Sequence, residues 1–165
     1  MTKKAFGDKN FSKQVAALNR KAMAGNKVVS LEEYRAVSRK AEPKTILVVD
    51  DEIVVRNAIK RIFEKDNYRV LVAKDAMELS KIIEESVFDL VLLDIKLPWV
   101  DGYALCSLLR AHPTLKNLPI AFISGNNTEE DIKKGFEAGC DEYITKPFEV
   151  DEIQKRVTDL LLKSG

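Results

Sequence analysis

The sequence predicts an α/β protein: a doubly wound, five-stranded parallel sheet with five helices, preceded by a short helical extension. Three observations predict it. From residue 45 onward, five short β-rich runs alternate with five segments of helical period. The runs are apolar almost without interruption, as in "FDLVLLD", which marks strands buried on both faces. The composition also breaks once. Residues 1–44 carry 11 Lys+Arg against 4 Asp+Glu, whereas the remainder carries 16 against 22. That reversal, with Pro43 beside it, divides the chain into a basic extension at 1–44 and a domain at 45–165.

Within the domain, "TILVVD" is a short strand ending in acid. "VVRNAIKRIFEKD" follows with Val55, Ile59, Ile62 and Phe63 at i, i+4, i+7 and i+8, the stripe of an amphipathic helix. "YRVLVA" is the second strand, and "DAMELSKIIEES" a helix with Asp75 as its N-cap. "FDLVLLD" is the third strand and "YALCSLLRAH" the third helix, with His112 at its end, where an imidazole suits the dipole. "PIAFISG" is the fourth strand. "TEEDIKKGFEAG" has a polar cap, acids in its first turn and Gly139 where a helix stops. "DEYIT" is a short fifth strand, and "VDEIQKRVTDLLLK" a final helix with Val150, Ile153, Val157, Leu160 and Leu161 inward. In the extension, Phe11, Val15, Leu18 and Ala22 fall at helical spacing, and "SLEE" at Ser30–Glu33 is a capping box. The expectation is two short helices, at about 10–23 and 31–40, with Leu31, Tyr34 and Val37 inward. They would dock on the domain or on a second copy, the latter making a homodimer.

Composition narrows the classes of function. No run reaches the roughly 18 apolar residues of a membrane span, and "MTKKAFGDKN" lacks the apolar core of a signal peptide. Cys106 and Cys140 have neither metal-ligand spacing nor partners for a disulfide framework, so a cytoplasmic protein with reduced thiols is expected. The basic extension has no recognisable nucleic-acid motif. No GxxxxGK or GxGxxG phosphate loop is present.

Doubly wound sheets place their sites beyond the carboxyl ends of the strands. Asp50 and Asp51 end the first run and Asp94 the third. In a 2-1-3-4-5 sheet those strands are neighbours, so the three carboxylates converge. Their repulsion must be relieved by protonation or a cation. An all-oxygen cluster that keeps waters suits Mg²⁺. Ser124 and Lys146 end the fourth and fifth runs, as donors toward an anionic group on Asp94.

At these residues the chain resembles the receiver domains of bacterial two-component response regulators. The motifs are "ILVVDDE", "LLDIKLPWVDG", "FISG" and "YITKPF", in order across about residues 45–163. The resemblance implies a flavodoxin-like fold and a phosphorylated Asp94. It implies Mg²⁺ on Asp51 and Asp94, with Asp50 helping, and on the backbone carbonyl of Lys96. Ser124 would hold a phosphoryl oxygen, Lys146 would pair with the phosphoryl group, and Tyr143 would be the aromatic switch. The Lys146–Pro147 bond would be cis. A histidine kinase or phosphotransfer protein would be the donor. The domain would catalyse only its own phosphorylation and slow dephosphorylation. Two positions depart from the pattern: Trp99 stands where the loop commonly has glycine, and Lys96, with Asn126, flanks the path of attacking water.

A haloacid-dehalogenase-like phosphatase also uses an aspartyl-phosphate, but it wants an acid two residues after the nucleophile, where this chain has Lys96. No effector domain is visible in the sequence. The expectation is a stand-alone regulator acting on a downstream protein, with no membrane or nucleic-acid partner. The alternative is the receiver segment of a larger hybrid kinase or multidomain regulator.

Overall fold

The computed structural model describes residues 13–14, 16–17, 30–33 and 42–164. The chain divides into two units, Met1–Pro43 and Lys44–Gly165. In the first, residues 13–14, 16–17 and 31–33 are helical. The Ser30 amide donates to Glu33 Oε2 at 3.0 Å, and the Glu33 amide donates to Ser30 Oγ at 3.1 Å. That reciprocal pair is the capping box read from the sequence. Leu31, expected inward, is 62% exposed. The other stripe residues, Phe11, Val15, Leu18, Ala22, Tyr34 and Val37, and the full extents of both helices lie outside the described residues.

The second unit is β1 (Thr45–Val49), α1 (Ile53–Lys65), β2 (Arg69–Ala73), α2 (Ala76–Glu85), β3 (Leu90–Asp94), α3 (Gly102–Ala111), β4 (Ile120–Ser124), α4 (Glu129–Ala138), β5 (Glu142–Thr145) and α5 (Val150–Lys163). All pairings are parallel and the order is β2-β1-β3-β4-β5. This is the predicted sheet. The register aligns Val48 with Val72 and Leu92, Leu92 with Ala121, and Phe122 with Tyr143.

The alternation of side chains along a strand divides the core in two. Leu47, Val49, Val91, Leu93 and Phe122 pack on one face with Leu79, Leu105, Cys106 and Leu109 of α2 and α3. Ile46, Val48, Leu90, Leu92, Ala121 and Ile123 pack on the other with Ile59, Phe63, Ile153 and Val157 of α1 and α5. The interiors of the central strands are therefore apolar, with polar side chains only at their ends: Thr45 where β1 starts, and Asp94 and Ser124 where β3 and β4 finish.

Local chemistry sets the helix ends. Asp75 accepts from the Glu78 amide at 2.9 Å and Thr128 from the Asp131 amide at 3.1 Å, both N-caps. Gly139 closes α4 at φ 107°, where a side chain would be strained. One expectation needs correction: Val150 is 47% exposed. As the first residue of α5 it lies before the turn that meets the sheet, and the buried stripe begins at Ile153.

Candidate functional site

The site forms where β1, β3, β4 and β5 end. Asp50 directly follows β1 and is 2% exposed. Its Oδ1 accepts the Glu52 amide at 2.8 Å, and its Oδ2 receives Lys146 Nζ at 3.1 Å. Asp94, the last residue of β3, is 4% exposed. Its Oδ1 accepts the Lys96 amide at 3.3 Å, and its Oδ2 lies 3.7 Å from Lys146 Nζ. Asp51 is exposed and completes the cluster: one oxygen from each of Asp50, Asp51 and Asp94 lies within 4.8 Å of the others. The Lys146 amide donates to the Ser124 carbonyl at 2.7 Å, locking the ends of β4 and β5 together.

Burial pushes the Asp94 carboxyl up to about 6 from 3.8. Lys146 and the Lys96 amide oppose that shift, while Asp50 and Asp51 add to it. One ammonium therefore faces three carboxylates, two of them buried. The donor set is wholly oxygen and anionic, open to solvent on the Asp51 side, and it fits a hard divalent cation.

The loop from Asp94 to α3 turns sharply. A Cβ on Gly102 would lie 2.4 Å from Ile95 Cα and 2.7 Å from the Asp94 carbonyl, so only glycine lets the helix start so close to the strand. Lys96 bridges to Asp101 across this turn. Trp99 Nε1 donates to the Lys74 carbonyl at 3.3 Å, and its ring packs on the core, so it joins the loops after β2 and β3. A Cβ on Gly125, the residue after Ser124, would meet nothing within 4 Å, so there is open space beside the hydroxyl.

The hydroxyl side is fully covered. Ser124 is 0% exposed, and its Oγ accepts the Asn126 amide at 3.1 Å. Tyr143 is buried, with its hydroxyl donating to the Asn126 carbonyl at 2.7 Å. Its ring meets Phe122 edge-on at 6.1 Å. Tyr143, the aromatic switch that the resemblance implies, has its ring inward here. Gly135 of α4 leaves it room, since a Cβ there would lie 2.8 Å from the Tyr143 ring. The Lys146–Pro147 bond is cis, as expected.

Sequence reasoning missed two contributors. Arg56 Nη1 donates to the Asp50 carbonyl at 2.7 Å, buttressing the acidic turn from α1. Its only sequence signal was one cation in the first turn of an otherwise apolar stretch. The other is Gly135, whose partner ring lies in the following strand.

The model of the response regulator receiver domain matches residues 46–158. The chain belongs to this family. It is 40% identical over 119 residues to the aerobic respiration control protein ArcA of Escherichia coli, covering 72% of this chain and 49% of that one. It is 34% identical over 124 residues to response regulator Rre1 of Synechocystis, covering 74% and 54%. The chain thus spans about half the length of the curated relatives it matches. A CheY-like receiver domain protein from Methanospirillum hungatei superposes with a TM-score of 0.67 at 31% identity, covering 74% of this chain and 97% of that one. The receiver is a phosphorylation-dependent switch of two-component signalling, generally a non-enzymatic class. Among the described residues no helix is long and apolar enough to cross a membrane.

Proposed function

We propose that this receiver takes a phosphoryl group onto Asp94 from a histidine kinase or phosphotransfer protein and signals by changing its contacts with a downstream protein. The observation that carries the reading is the convergence of Asp50, Asp51 and Asp94 with Lys146 at the strand tips. An Asp94 oxygen attacks phosphorus as the bond to the donor's nitrogen or oxygen breaks, and the donor leaves with the electron pair. Such transfers need positioning and charge neutralisation above all. Lys146 touches both buried carboxylates and so stands ready to pair with the incoming oxygens. Asp50, Asp51, Asp94 and the carbonyl of Lys96 would hold Mg²⁺, which when bound supplies positive charge to the transferring group.

Ser124 is the residue that reads the product. Its hydroxyl can leave the Asn126 amide for a phosphoryl oxygen, and Asn126 is the residue that Tyr143 holds. Ser124 and Tyr143 thereby act through one shared neighbour. The chain's own catalysis is confined to this self-phosphorylation and a slow hydrolysis, flanked by Lys96 and Asn126. The extension at 1–44 is read as a separate output or docking segment of two short helices, with a homodimer as one arrangement.

Intact mass after acetyl phosphate with Mg²⁺ tests the reading. The wild type should gain one phosphoryl group and Asp94→Ala none. Equal labelling of both would overturn the assignment.

A further inference from the structure

One face of α3 donates side-chain hydrogen bonds to both ends of α4. Tyr103, Ser107 and Arg110 stand at i, i+4 and i+7, on one side of the helix. The Tyr103 hydroxyl donates to the Asp131 carbonyl in the first turn of α4 at 3.2 Å. Ser107 Oγ lies 3.2 Å from the Tyr103 carbonyl of its own helix and 3.5 Å from the Ala138 carbonyl, so its grip on α4 is a shared one, and Arg110 Nε donates to the Gly139 carbonyl at 2.7 Å.

The three grips are unequal. Arg110 is bound on every side: its Nη2 meets Asp141 Oδ2 at 2.6 Å and its Nη1 the Lys116 carbonyl at 3.1 Å. Asp141 Oδ2 also accepts the Ile120 amide at 2.9 Å, so the carboxyl end of α4 is fixed to the start of β4. Charged donors make the stronger bonds. A Cβ on Gly139 would lie 2.9 Å from Arg110 Cγ, so this close seat needs glycine. At the amino end there is one neutral hydroxyl. That end follows Ser124 and Asn126 by a few residues and sits beside the rings of Tyr103, Phe122 and Tyr143, whose centroids are 5.6 Å and 6.1 Å apart in turn.

We propose that this face of α3 is a hinge for α4: Arg110 fixes the carboxyl end as a pivot, and Tyr103 is a positioning residue that holds the amino end until the β4–α4 loop moves. The proposal rests on the reading of Asp94 as phosphoacceptor only for what moves the loop. The asymmetry of the seam stands on its own contacts. The end nearest the signal is held by one neutral hydroxyl, and the charged link lies at the far pole of the sheet.

Position-resolved hydrogen exchange on the full chain tests it. Tyr103→Phe keeps the ring and removes the donor. Without any phosphoryl mimic, its amides at 129–134 should exchange between about twofold and tenfold faster than wild type, as one hydrogen bond is worth. Amides at 136–141 should not change. Arg110→Lys should give the opposite pattern, and as the milder change it guards against unfolding. Exchange that is unaltered in Tyr103→Phe, or raised evenly along α4, would overturn the hinge. Beryllofluoride with Mg²⁺ should loosen 129–134 first in the wild type, and half of that effect should need between about twofold and tenfold less beryllofluoride in Tyr103→Phe. A midpoint that is unmoved or raised also overturns the proposal. Should beryllofluoride act on neither protein, the phosphoacceptor reading fails, while the exchange comparison without it still decides the seam.

Discussion

Asp94 combines two demands that conflict. As the proposed phosphoacceptor it must be an anion, but it is a carboxyl at the end of a buried strand beside two others. With its carboxyl raised from 3.8 to about 6, protonation stabilises the metal-free fold. That contribution is complete below about pH 4 and is lost as pH rises through about 6. The difference amounts to about 3 kcal/mol at the usual value per pKa unit. In EDTA, urea midpoints should therefore fall between pH 4 and 7 more steeply for the wild type than for Asp94→Asn. At pH 7.5 the Asn variant should be the more stable of the two. Equal midpoints at pH 7.5 would show that Lys146 already neutralises the cluster unaided. The cysteines give a second prediction. Burial pushes Cys106 up to about 11 and Cys140 to about 12, so both stay protonated at pH 8. Iodoacetamide should label neither in the native chain and both in urea. Rapid native labelling of either would mean that its wall opens. Acids at strand tips are legible in a sequence, because a charge that closes an apolar run has to sit where the strand leaves the core. Arg56 was not, because its acceptor is a backbone carbonyl that leaves no trace in residue types.

At the scale of elements, α4 is where sequence and structure diverge. A glycine at mid-helix normally costs about 1 kcal/mol against alanine. Gly135 tolerates that cost because Tyr143 and Phe122 pass beneath it, 2.8 Å and 3.2 Å from where a Cβ would be. Gly135→Ala should therefore lose stability, by about 1–3 kcal/mol for overpacking less the helical gain. In a Tyr143→Leu background the same substitution should be neutral or stabilising. Urea denaturation of the four proteins in this cycle gives the coupling, and a coupling of zero would mean the ring is not held under α4. Nothing in helical periodicity could reveal this. The periodicity of α1, α3 and α5 was readable because their apolar stripes point at the sheet. The seam between α3 and α4 is polar and depends on the register of two helices, which no single stripe records. Val150 was misread because the stripe was extended one turn too far toward the amino end of α5.

For the whole molecule, the alternation of five strands and helices gave the sheet order, since right-handed crossovers leave little choice. The opposition of Asp50 to Lys146, 96 residues apart, then followed from that order. Every site residue lies in the Lys44–Gly165 unit. A chain lacking residues 1–43 should thus keep Mg²⁺-dependent labelling of Asp94 by acetyl phosphate, measured by intact mass. Loss of labelling in a truncated chain that still folds would make the extension part of the site. The chain has a single tryptophan, Trp99, tied by its indole N–H to the loop after β2 and set in the turn that leaves Asp94. Its emission is thereby a native optical gauge of that turn. Ion binding or acylphosphate formation that strains the link to Lys74 changes the indole's polarity and its fluorescence. A kinase's turnover on this receiver could then be followed in real time, with no label attached.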